Sequence, residues 1–171
     1  MLGSLTSTER GDALAVLLAA HPELADEAER IAGELLASPS FAEVASEVEY
    51  TLAAVPLDAL AARAGRVRGR GYVHETDAAW ELVEEAIAPF LADSERRAAL
   101  GFRDAATDIA IGIVAGLYQV REPEMGSVLA YAGEDAPGEL AAVVVDRAEK
   151  LGLNITADDA ETYWPGWDDL Q

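Results

Sequence analysis

Residues 100–120 read LGFRDAATDIAIGIVAGLYQV, the most hydrophobic stretch of the chain. Ile109, Ile113 and Leu117 recur at helical spacing as one stripe, and Ile111, Val114 and Tyr118 make a second. A helix that is apolar nearly all round belongs at the centre of a protein rather than on its surface. Inside it, Gly112-x-x-x-Gly116 leaves room for a neighbouring backbone to come close. The apolar run from Ile109 to Tyr118 is about half of the ~20 residues that cross a bilayer, so it reads as a core helix and not a membrane span.

The pattern on either side is also helical. Thr6-x-x-Glu9 has the form of a capping box ahead of Ala13, Leu14, Leu17 and Leu18, which predicts a helix over residues 7–20 ended by His21-Pro22. Pro22 suits the first position of the next helix, where Leu24, Ala28, Ile31 and Leu35 share one face and Asp26, Glu29, Arg30 and Glu34 lie largely off it. These two helices are expected to form an antiparallel hairpin over residues 1–37. Ser38-Pro39 breaks the chain, and Ser40-x-x-Glu43 is placed to cap a third helix carrying Phe41, Val44, Val48, Leu52 and Val55. A short fourth helix over 57–64 follows, then a segment over 65–74 whose glycines at 65, 69 and 71 mark a loop.

From Asp77, a stripe of Trp80, Val83, Ile87 and Phe90 predicts a helix that gives way around Pro89 and Ser94 to a separate one over about 95–101. Beyond the central helix come a turn at Arg121–Gly126, a short helix around Ser127–Ala132, and a last long helix marked by Leu140, Val144, Ala148 and Leu151. Val143-Val144-Val145 alone would suit a strand, but its flanks are helical. The expected fold is all-α: a single domain over 1–171 of six to eight helices in antiparallel hairpins, with a main core over 38–152 and an acidic aromatic tail over 153–171. A faint echo sets Glu43–Ala53 against Glu81–Leu91, which leaves two packings open, a repeat-like α-solenoid or an irregular bundle.

Composition narrows the function classes. Alanine fills 35 of 171 positions, and 32 acidic residues against 12 basic ones give a net charge of −20. A surface this negative repels nucleic-acid backbones and anionic lipid, so a nucleic-acid or membrane partner is not expected. The absence of cysteine removes disulfide frameworks, thiolate metal sites and cysteine nucleophiles. Residues 1–10 lack the basic and apolar regions of a signal peptide, which makes the cytoplasm the expected address. Lys150 is the only lysine, a balance that suits a high-GC or salt-adapted source.

Two clusters carry the candidate chemistry. Arg63, Arg66, Arg68 and Arg70 gather four of the twelve basic residues within eight positions, followed by Tyr72 and His74. Guanidinium groups on a glycine-rich loop can grip an acidic protein partner by bidentate hydrogen bonds, or can pair with the chain's own acidic helices or a second copy. On that reading the chain is a protein-binding or structural module that needs no cofactor. The alternative is a metal-dependent hydrolase of small phosphorylated substrates. Glu81, Glu84 and Glu85 on one helix and Asp104 and Asp108 on another have the spacing with which all-α nucleotide pyrophosphohydrolases hold a divalent metal, although Asp104 stands where that pattern has Glu. His21 and His74, the two histidines, both sit at predicted helix ends and read as caps, and no H-E-x-x-H spacing is present. In the tail, Tyr163-Trp164-Pro165-Gly166-Trp167 is either an exposed docking segment, one that swaps between protomers, or an aromatic cluster folded back between helices.

Gly71-Tyr72-Val73, Ala78-Ala79-Trp80-Glu81-Leu82 and Gly116-Leu117-Tyr118, within residues 41–120, resemble an uncharacterised helical region of prokaryotic proteins often found near SWIM-type zinc-finger modules. The resemblance implies an all-α, repeat-like interaction module. The zinc finger itself needs cysteines and is missing here, so no metal or nucleic-acid role transfers with it. If the arginine loop is the contact site, replacing Arg66, Arg68 and Arg70 together with alanine is expected to weaken the complex with an acidic partner and flatten its salt dependence, as measured by titration at low and high salt. Unchanged affinity at both would contradict this.

Overall fold

Capping decides where the first helices begin. In the computed structural model, which describes residues 2–67, 69 and 71–167, the Thr6 side chain accepts from the Glu9 amide while the Glu9 carboxylate accepts from the Thr6 amide at 2.7 Å, opening α1 (Ser7–Ala20). His21 ends α1 with its amide donating to the Leu17 carbonyl. Pro22 then starts a 3-10 turn, Pro22–Leu24, rather than the first α turn, and α2 runs from Ala25 to Ala37. Residues 1–38 form one compact unit, and no described residue of α1 or α2 is buried.

The second compact unit, residues 39–171, holds the core. Ser40 caps α3 (Phe41–Ala53) through the Glu43 amide, and α4 spans Leu57–Arg63. The predicted loop contains a small antiparallel ladder, β1 (Gly65–Val67) with β2 (Gly71–Val73), in which Arg66 stands opposite Tyr72. Three-residue strands are too short for an alternating pattern to show in the sequence. Gly65 and Gly71 both take positive φ, near 85°, a conformation that an L side chain strains to adopt. Val73, buried among the core side chains, anchors the ladder.

Helix α5 runs unbroken from Glu75 to Ala99, which corrects the expected break at Pro89 and Ser94. Pro89 is exposed, so its ring lies on the water-facing side of the helix and away from the core. Ser94 is buried, and its hydroxyl donates to the Ala106 carbonyl of α6 (Arg103–Gln119) at 2.9 Å, tying the two helices instead of starting a new one. Ser127 caps α7 (Val128–Ala132), and α8 (Ala136–Lys150) takes in the Val143–Val145 run as helix. A second capping box, Thr156 with Asp159, opens α9 (Ala157–Tyr163). Among the described residues the architecture is thus all-α apart from the small ladder.

Helix α6 is the axis of this unit, with every residue from Ile109 to Leu117 buried and α3, α5, α8 and α9 packed around it. The two glycines set the closest contact. A Cβ built on Gly112 would lie 2.7 Å from the Phe41 carbonyl oxygen, and one on Gly116 would lie 2.6 Å from that of Ala45, so α3 rests its backbone directly on α6. At the opposite end of α6, Arg103 donates to the Leu151 carbonyl at 2.8 Å and to that of Gly152, satisfying the carboxyl end of α8. The segments related by the internal echo lie in α3 and α5, which both pack on α6. Their continuations differ: α3 stops before Pro56 and is followed by α4, whereas α5 passes straight through Pro89.

The tail folds back within this unit. Trp164 is 2% exposed, the Tyr163 ring sits 4.7 Å from that of Phe41, and Trp167 meets the Tyr118 ring edge-on at 5.3 Å. The Tyr118 hydroxyl closes the contact by donating to the Pro165 carbonyl at 2.9 Å. Residues 168–171, the rest of the predicted tail, lie outside the described residues.

Adding one methyl group at the α3–α6 contact should therefore be costly. Gly112→Ala and Gly116→Ala are each expected to lower stability by about 1–3 kcal/mol through overpacking against backbone that cannot swing away. Gly138→Ala, in α8, where a Cβ would meet no atom within 4 Å, is expected to be neutral or to gain up to about 1 kcal/mol. Chemical denaturation of the three variants checks the contrast.

Candidate interaction surfaces

The arginine cluster divides in two. Arg63, at the end of α4, forms a two-pronged ion pair with Glu85 of α5 at 2.8 and 2.6 Å, and Glu81 stands 4.0 Å from it. Its hydrogen bonds hold the Glu85 carboxyl below the usual carboxylate range. Arg63 thus serves an internal link between α4 and α5. Arg66 and Tyr72, paired across the ladder, stay exposed, with Tyr72 at 75%. Arg68 and Arg70 lie outside the described residues. His74 is the cap of α5, its Nδ1 accepting from the Thr76 amide at 3.3 Å, and His21 pairs through Nδ1 with Glu23 at 3.0 Å.

The carboxylates of the hydrolase alternative are not gathered. The Ser94–Ala106 hydrogen bond fixes the antiparallel register of α5 on α6, and it leaves Glu81, Glu84 and Glu85 roughly two or more turns along α5 from the level of Asp104 and Asp108. Glu81 and Glu85 face Arg63 instead. Among the described residues, no three side chains of His, Cys, Asp or Glu converge in a way that would hold a metal ion.

Asp108 has its own peculiarity. Partial burial, with the negative charges of Asp104 one turn back and Asp159 on α9, raises its carboxyl above the ordinary value of 3.8. Asp93 shows the converse: burial pushes it up, but hydrogen bonds from Arg96 and Arg97 outweigh that and hold it low.

Two features of the surface escaped the sequence reading. In the first unit, Leu14, Val16, Leu17, Leu24, Ile31 and Leu35 are all exposed, from 40% to 72%. In the second, α5 and α8 enclose a groove of about 410 Å³ with an apolar floor that includes Ile87, Leu91, Leu140 and Val143, and with Glu81, Glu84, Glu85 and Glu95 along it. The hydrophobic spacing of α2 was visible, but a sequence does not say which apolar stripe finds a partner within its own chain. No family model, curated protein or solved structure matches this chain.

The raised Asp108 carboxyl gives a pH test. The native state keeps a proton that the unfolded chain has already released, so stability falls as pH rises from the ordinary aspartate value through the raised one. Asp108→Asn is expected to flatten that slope and to exceed the unsubstituted protein in stability at neutral pH. Urea denaturation between about pH 4 and pH 7 reads both.

Proposed function

We propose that the chain is a protein-binding or structural module rather than an enzyme, and that the exposed apolar side chains of its first unit, residues 1–38, are where another protein or a second copy associates. The observation that carries this reading is the first unit itself. It spans 38 residues, none of those described in its helices is buried, and the chain has no cysteine with which to brace it. Units below about 40 residues need a disulfide, a metal or association to stay folded. Local devices do not replace a core. The capping box on α1 and the exposed Arg30 pairs with Glu27 and Glu34 are local and face water, so they set helix ends and bury nothing.

The apolar side chains supply the missing term, since each contributes about 1.5–3 kcal/mol when fully buried. A partner's apolar helix face packed on Leu17, Ile31 and Leu35 would bury side chains that are now exposed. The exposed Arg66–Tyr72 pair on the ladder supports the same class of activity, as a contact for an acidic surface. The hydrolase alternative has less support, because two of its carboxylates are engaged by Arg63 and the set does not converge.

Native mass spectrometry of the full chain tests the proposal. A defined homo-oligomer, or a stoichiometric second polypeptide, is expected, and Leu17→Ser/Ile31→Ser/Leu35→Ser is expected to release a monomer whose second unit stays folded. A bare monomer in both proteins, with the same helix content, would overturn it.

A further inference from the structure

The α5–α8 groove has a shape and a charge pattern that together specify a ligand, and every residue lining it belongs to the second unit. Along α5, Glu84, Ala88, Ala92 and Glu95 fall at successive turns on one line, so the groove has a carboxylate near each end and small side chains between. Glu84 and Glu95 are separated by about 16 Å, three turns of helix. Ala88 and Ala92 are both exposed and let a neighbouring backbone approach, while Val143 of α8 stays 44% exposed at the floor.

The ends are electrostatically unequal. Arg147 of α8 crosses to Glu95 at 3.1 Å, an exposed and water-screened pair that a better-placed cation can replace. At the other end Arg63 is committed to Glu85, and Glu84, exposed, has no ion pair or hydrogen bond among the described residues. The protein's own arginines thus already show what each end accepts, a guanidinium on a carboxylate, and one carboxylate is left over.

We propose that this groove binds a basic amphipathic helix from a partner protein. Apolar side chains one and two turns apart in that helix enter between α5 and α8 over Ala88 and Ala92, and basic residues three turns apart flank them to meet Glu84 and Glu95. The inference deepens the protein-binding reading by naming a partner chemistry, and it concerns a surface other than the hairpin. A membrane does not fit the same pattern, since a net charge of −20 opposes anionic lipid. An acidic helix would bring like charges into the groove.

The test uses the full chain and a fluorescent, alanine-based helical peptide of about 18 residues, with two leucines between two arginines at the spacing described, followed by anisotropy. A matched peptide with glutamate in place of arginine is the comparison. The expected result is saturable binding of the basic peptide only. Glu84→Lys and Ala92→Lys should each weaken it at least about tenfold, a change of about 1.4 kcal/mol, and raised salt should weaken it further. Glu47→Lys makes the same charge change outside the groove on α3 and should leave binding within about twofold of the unsubstituted protein. Glu84, Ala92 and Glu47 are all exposed, so the three variants keep the fold, and circular dichroism confirms it. No saturation by the basic peptide, equal binding of the glutamate peptide, or an affinity unmoved by both groove variants would overturn the proposal. Each of these outcomes leaves the hairpin association intact as a separate measurement, so failure of the groove and failure of the protein-binding reading are told apart.

Discussion

The approach of α3 to α6 over Gly112 and Gly116 is the constraint on which the rest of the second unit depends. With carbonyl oxygens of α3 less than 3 Å from where a Cβ would stand, two backbones touch where side chains normally intervene. Such a contact fixes the spacing and rotation of both helices together, because interiors are packed at crystal-like density and cannot absorb a methyl group by small local shifts. Once α3 is placed, Phe41 is in position to meet Tyr163, and the C-terminal segment has a seat. Once α6 is placed, Ser94 can reach Ala106 and Arg103 can reach the end of α8. The polar links are few and sit at element ends or between helices, and the apolar surface of α6 does the bulk of the joining.

That arrangement decides what remains for function. A core centred on the buried stretch 109–117 of α6 leaves α5 and α8 with one face inward and one outward, and the groove between their outward faces inherits the acidic character of the chain. The first unit has no such centre. Its helix α2 carries an apolar stripe of helical period, and no described residue of α1 or α2 is buried. The second unit thus has a core of its own, and the first unit is where the proposed association would add the burial that its described helices lack.

Much of the fold was legible in the sequence because its signals were local. The Thr6–Glu9 box, Ser40, Ser127, and the uninterrupted apolar pattern of 109–118 name helix starts and the central helix directly. The misreadings came where a tertiary contact overrode a local rule. Pro89 and Ser94 look like a break, but the proline faces water and the serine has a buried acceptor on another helix, so α5 continues. The 65–74 segment looks like a loop because its strands are three residues long and held by glycines with positive φ. Of the candidate site residues, Arg63 found its partner inside the chain, which residue spacing alone does not disclose, since Glu85 lies 22 positions away. The carboxylates at 81–85 and 104–108 had metal-like spacing within each helix, but the register between α5 and α6 keeps the two sets at different levels. The groove was invisible for the same reason: it exists only through the pairing of α5 with α8.

The central claim is that the second unit is organised around the buried stretch 109–117 of α6, while α1 and α2 bury no described residue. Native-state hydrogen exchange of the full chain, read by mass spectrometry with partner removed or at dilution where copies separate, tests it most directly. Slowest exchange in residues 109–117, approaching the global unfolding limit, with exchange in 7–37 faster by orders of magnitude, is the predicted result. Equal protection of the hairpin and α6 under those conditions, or rapid exchange along α6, would contradict it.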